Sequence, residues 1–126
     1  MAELKRVSFK VAKAIKEAGY PQEKLTDKVY LLNCDKEGKL AHYQSALYYN
    51  VAVAPTYLEI WLWLEKYKSI LIHPDSSFIE NGELKYSATT YLVKNDKSTG
   101  QDYVYNSSEE AIIAAIEHLV EHNLIK

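Results

Sequence analysis

Pro55-Thr56-Tyr57-Leu58-Glu59-Ile60-Trp61-Leu62-Trp63-Leu64-Glu65-Lys66-Tyr67-Lys68 is the stretch on which the organisation of the chain turns. Thr56 and Glu59 stand three residues apart, the spacing of a capping box, and Pro55 sets the angle of entry. A helix from Thr56 to about Lys68 is predicted. On a helical wheel Tyr57, Ile60, Trp61, Leu64 and Tyr67 form one apolar arc, Trp63 widens it on one side, and Leu58 and Leu62 widen it on the other. Little beyond Glu59 and Lys66 marks a water face. One reading of that excess is a central helix, buried along most of its circumference. The other is that Leu58 and Leu62, with Trp61, form an exposed patch for a protein partner or a second copy of the chain.

Upstream, Val29 to Asn33 and Lys39 to Gln44 flank the polar, glycine-bearing turn Asp35-Lys36-Glu37-Gly38 and predict a hairpin. Ser45 to Ala54 lacks clear periodicity and reads as a loop with a short strand near Val51. Before the hairpin, Leu4, Val7, Val11, Ala14, Ile15 and Ala18 fall on one stripe of an amphipathic helix, which starts near Glu3 or at Ser8 as N-cap and ends at Gly19-Tyr20-Pro21. Downstream, Ser69 to His73 is a short β-rich run stopped by Pro74, and Lys85 to Lys94 alternates as a strand does. A turn from Asn95 to Gly100 leads into a third run, Asp102 to Tyr105. Ser107 and Glu110 form a second capping box, opening a last helix whose expected buried stripe is Ile112, Ile113, Ile116, Leu119 and Val120. The order helix, hairpin, helix, three strands, helix, with short antiparallel connections, predicts one α+β domain over residues 1–126, an antiparallel sheet with helices packed mainly on one face.

The 126 residues suit one domain, and Leu, Ile, Val and Phe make up 33 of them, enough for a core. A formal charge of -2 argues against a protein that tracks phosphates through a basic excess. The lone Cys34 allows neither an internal disulfide nor a cysteine zinc site. No stretch resembles a signal peptide or a membrane span, so a soluble, cytoplasmic protein is expected. Tyr occurs 11 times beside 2 Phe. Tyr43, Tyr86, Tyr91, Tyr103 and Tyr105 fall on predicted strands, where a half-wet face accepts them, which leaves Tyr48-Tyr49 as a contact candidate ahead of the apolar helix.

Three segments carry a resemblance: Val7-Ser8-Phe9 through Gly19-Tyr20-Pro21, Ala54-Pro55-Thr56 through Glu65-Lys66, and Ser107-Ser108-Glu109-Glu110-Ala111 through Leu119. Together they resemble a group of small uncharacterised bacterial and prophage-type proteins over roughly half the chain. The resemblance implies an α+β fold and a mobile-element origin, and brings no activity or catalytic residue. Such sequences carry polar residues where this one has Leu58, Trp61 and Leu62.

Candidate chemistry is sparse. His118-Leu119-Val120-Glu121-His122 matches the inverted zinc-peptidase pattern, two histidines one turn apart with a glutamate between them that would act as base. Such a zinc needs a third protein ligand, and only four residues of this sequence follow His122, so the expectation is adventitious metal binding at His118 and His122 rather than catalysis. His73-Pro74-Asp75-Ser76-Ser77 gathers a base, a carboxylate and hydroxyls, but it reads as a way of leaving a strand. Cys34 and His42 lie on opposite arms of the hairpin, where a lone Cys is a small apolar filler. The second helix, three strands and last helix resemble the α-β-β-β-α order of double-stranded RNA binding domains. That mode requires a basic start to the last helix, and this one begins Ser107-Ser108-Glu109-Glu110.

The sequence therefore leads to a non-enzymatic protein-interaction or accessory domain without cofactor, phage- or prophage-derived by resemblance. Its contact candidates are Leu58, Trp61, Leu62, Tyr48 and Tyr49, and its partner is an unidentified protein or itself as a homodimer. A nucleic-acid-associated domain is the alternative. A metal-dependent hydrolase using His118, Glu121 and His122 comes third.

Overall fold

A computed structural model of the chain describes residues 5–22, 28–32, 34–35, 37–42, 50–100 and 105–125, with the backbone alone for 75–80 and 100. Their order is α1 (Phe9–Glu17), β1 (Lys28–Leu32), β2 (Leu40–His42), β3 (Asn50–Val53), α2 (Tyr57–Trp63), a π-helical turn (Leu64–Lys68), β4 (Ile70–Glu80), β5 (Glu83–Leu92), a 3₁₀ turn (Val93–Asn95), β6 (Lys97–Gly100) and α3 (Ser108–Glu121). The class is α+β. The strands belong to two antiparallel three-stranded sheets, ordered β2-β1-β3 and β4-β5-β6, where the sequence suggested one. The chain forms two compact units, Met1–Glu59 with Ile125–Lys126 and Ile60–Leu124.

In the first unit Ser8, not Glu3, starts α1, its hydroxyl accepting from the Val11 amide at 3.3 Å. The residues just before it are engaged elsewhere, because the Val7 amide donates to the Pro55 carbonyl and the Lys5 carbonyl accepts from Tyr57. Gly19 at φ 98° ends the helix in a Schellman motif, with the Gly19 amide on Lys16 and the Tyr20 amide on Ile15. The expected hairpin is β1-β2, and Gly38 at φ 86° is required in its turn, where an added Cβ would also meet the Phe9 ring at 3.5 Å. The strand expected near Val51 is β3, paired with β1. Its outer backbone groups are capped by side chains, Lys16 Nζ donating to the Val51 carbonyl at 2.6 Å and the Val53 amide to Gln22 Oε1 at 3.0 Å. An edge satisfied in this way offers less to a pairing strand.

Burial, with the negative charge of Glu59 second, raises the Tyr20 phenol above its ordinary 10.0. The unfolded chain therefore releases that proton first. This contribution to stability is complete below pH 10 and is lost as the pH rises from there through the folded value. Urea unfolding at pH 9 and 11 should show a smaller alkaline loss for Tyr20→Phe than for the natural chain. Equal losses would remove Tyr20 from the account.

In the second unit, β4 does not stop at Pro74 but runs on to Glu80. The Val93 amide donates to the Ser69 carbonyl, which makes Ile70 and Leu92 a non-hydrogen-bonded pair, and by alternation Ile72 with Thr90 and Pro74 with Ala88 are the same. Pro74 therefore turns its proton-less nitrogen to the free edge of the sheet and interrupts no ladder bond. Asn81 at φ 52° and Gly82 at φ 78° close the β4-β5 hairpin, both positive as a two-residue type I′ turn demands. The third strand is Lys97–Gly100, inside the expected turn, because the chain reverses already at Val93–Asp96, where Asp96 adopts φ 49° and accepts a hydrogen bond from Tyr91 Oη. Of the expected third run, Tyr105 makes an isolated bridge to Tyr86, and residues 102–104 lie outside the described residues.

Helix α3 packs on β4 and β5. The sheet presents Ile70, Ile72, Ala88, Thr90 and Leu92, all buried and all even-numbered, as one face of a pleated sheet must be. The buried side of α3 is Ala111, Ala115, Ile116 and Leu119, while Ile112, Ile113 and Val120 are only half-buried. The expected stripe is thus rotated toward the alanines. Small side chains at the contact let a helix approach its neighbour closely, and the isoleucines cover the flanks.

Candidate functional site

Helix α2 begins as the sequence predicts. The Glu59 amide donates to Thr56 Oγ1 at 3.3 Å, and the Thr56 amide donates to Glu59 Oε1 at 3.2 Å. Tyr57, Ile60, Trp63 and Leu64 are buried, so the core side of the helix is the middle of the expected arc. The circumference is not closed. Leu58 is 41% exposed and Leu62, one turn on, 57% exposed. Trp61 is half-buried, and its indole N–H donates to the Ile72 carbonyl at 3.1 Å, occupying an outer backbone group of the β4 edge. That bond gives Trp61 a structural task.

Tyr67, expected on the core arc, is 62% exposed. The reason is the switch at Leu64 from α to π winding, which lengthens each turn and carries later side chains off the line of Ile60 and Leu64. The widened turn closes at Ser69, left-handed at φ 55°, whose amide donates to the Leu64 carbonyl. Lys68 Nζ lies 5.4 Å from the centre of the Trp63 ring, and Lys66 Nζ 5.3 Å from that of Tyr67. Both are cation–π distances. The Trp63 and Tyr67 rings are therefore each bordered by an ammonium group, Lys66 lying on the expected water side. Tyr48 and Tyr49 lie outside the described residues.

The remaining candidates scatter. His73 is an exposed strand residue of β4, so the His73 to Ser77 segment is part of a sheet rather than the loop expected of it. His42 stands across the hairpin from Lys28, its Nε2 3.3 Å from Lys28 Nζ, and no hydrogen bond joins it to Cys34 among the described residues. His118 and His122 come together near the end of α3, ring centres 4.3 Å apart and planes inclined by 47°. His118 Nε2 is 3.4 Å from Thr99 Oγ1. Among the described residues no three of His, Cys, Asp and Glu gather as a metal-holding group. The first turn of α3 carries Glu109 and Glu110, charges that suit the helix dipole and repel a phosphate backbone. No helix among the described residues is long and apolar enough to cross a membrane.

Comparison with protein-family models, with curated proteins and with solved structures returned no match to this chain.

Proposed function

We propose that this chain is a small non-enzymatic interaction domain that works through the solvent side of α2, engaging a protein partner or a second copy of itself. The observation that carries the reading is the exposure of Leu58 and Leu62 on a helix that already buries Tyr57, Ile60, Trp63 and Leu64. Exposed apolar side chains adjacent on one face form a patch of the kind that marks a contact. An accessory role on a mobile element belongs to the same proposal and rests on the resemblance of the three segments.

The test is the double variant Leu58→Lys, Leu62→Lys. Both positions are exposed, so the variant should keep the circular dichroism and urea midpoint of the natural chain, while binding to the native partner recovered by pull-down should fall on the order of 100-fold or more. If the partner is a second copy, light scattering at micromolar concentration shows a dimer for the natural chain and a monomer for the variant. A variant that unfolds, or that binds as well as the natural chain, defeats the proposal.

A further inference from the structure

We infer that His118 and His122 form a two-nitrogen chelate for a late first-row divalent ion, Cu²⁺, Ni²⁺ or Zn²⁺, at the C-terminal end of α3. The two residues are four apart, and the helical bond from the His122 amide to the His118 carbonyl, 3.0 Å long, keeps them on one side of the helix. Their rings already stand 4.3 Å centre to centre, close enough for one ion to bridge nitrogens that each sit about 2.0 Å from it. His122 is exposed and His118 half-buried, so an ion reaches the pair from solvent and keeps water on its other positions.

The surroundings favour a cation. Near the pair, α3 carries Glu117 and Glu121 and no Lys or Arg, and the pair sits at the negative end of its dipole. Thr99 Oγ1 lies against His118 Nε2. In the tautomer with its proton on Nε2, His118 donates to that hydroxyl and offers Nδ1 to the ion, the usual arrangement in which the second ring nitrogen of a ligand is held by a neighbour. Imidazole donors select copper, nickel and zinc over magnesium and calcium, which prefer oxygen. Two ligands leave an open ion rather than a closed structural centre. Because the pair is brought together only by the helix, binding is coupled to the folded state.

The experiment is a titration of the untagged chain with Cu²⁺, read by electron paramagnetic resonance for nitrogen ligands and by thermal unfolding. One equivalent should bind with two nitrogens, and at free ion tenfold above its Kd the melting temperature should rise by about 5 °C. Loss of one arm of a chelate costs on the order of 100-fold in affinity, so His118→Ala and His122→Ala should each abolish the rise at that concentration, whereas His42→Ala and His73→Ala retain it. Since His122 is exposed, its variant reports on the ion even if the half-buried His118→Ala proves unstable. Affinity unchanged in His122→Ala, or lost instead in His42→Ala or His73→Ala, would overturn the inference.

Discussion

Leu64→Ala is expected to cost about 2–5 kcal/mol of stability, whereas Leu62→Ala, two residues away on the same stretch, should leave it within about 0.5 kcal/mol. Leu64 is fully buried and Leu62 is 57% exposed. Truncating the first removes apolar surface already withdrawn from water and leaves a cavity that close-packed neighbours fill only in part. Truncating the second removes surface that was largely wet. With a total stability of about 5–15 kcal/mol for an ordinary domain, the Leu64 variant loses a large share and the Leu62 variant almost none. Urea unfolding followed through Trp61 and Trp63 fluorescence measures both. Equal costs would mean that α2 is covered all round, and the proposed contact side would not exist.

Ala115→Asp is the second large effect, a loss of about 3–5 kcal/mol at neutral pH. Ala115 is 2% exposed on the side of α3 that carries Ala111, Ile116 and Leu119. A carboxylate there gives up its hydration, and the buried faces of β4 and β5, Ile70, Ile72, Ala88, Thr90 and Leu92, bring no positive charge. The pH dependence gives a second reading of the same variant. Burial raises the folded pKa of the new carboxyl above its unfolded value, so the folded state binds more protons and acid restores stability. The deficit relative to the natural chain should therefore shrink as the pH falls from 7 toward 4. A constant deficit would indicate a steric cause and not a buried charge.

The legible parts of the fold were those governed by neighbours along the chain. Ser8, Thr56 and Ser107 cap helices because a hydroxyl reaches an amide three residues on, a distance set by local geometry alone. Gly19 ends α1 for an equally local reason, its freedom to adopt φ 98°. Asn81-Gly82 is as clear a hairpin signal as any in the chain, but it closes a hairpin only if β4 continues past Pro74. A proline ends a strand only where its missing N–H faces a partner, and which way it faces depends on the register with β5.

The candidate contact side was legible as a composition and not as a surface. The sequence shows too many apolar residues around α2 without showing which of them the rest of the molecule leaves uncovered. Leu58 and Leu62 are exposed, Trp61 is tied to the β4 edge by its indole N–H, and Tyr67 is carried outward by the π turn. Size was misleading on α3 as well, where the bulky Ile112 and Ile113 flank a buried line that runs through Ala111 and Ala115.

By itself the sequence determined the α+β class, the caps at Thr56 and Ser107, the first hairpin and the pairing of His118 with His122 on one helix side, because each depends on residues close to one another along the chain. Only the tertiary structure decided that the strands form two sheets, that β4 continues past Pro74, and which faces of α2 and α3 are buried. Those outcomes depend on which distant segments withdraw a side chain from water or accept its hydrogen bond, and no periodicity along one element contains that information.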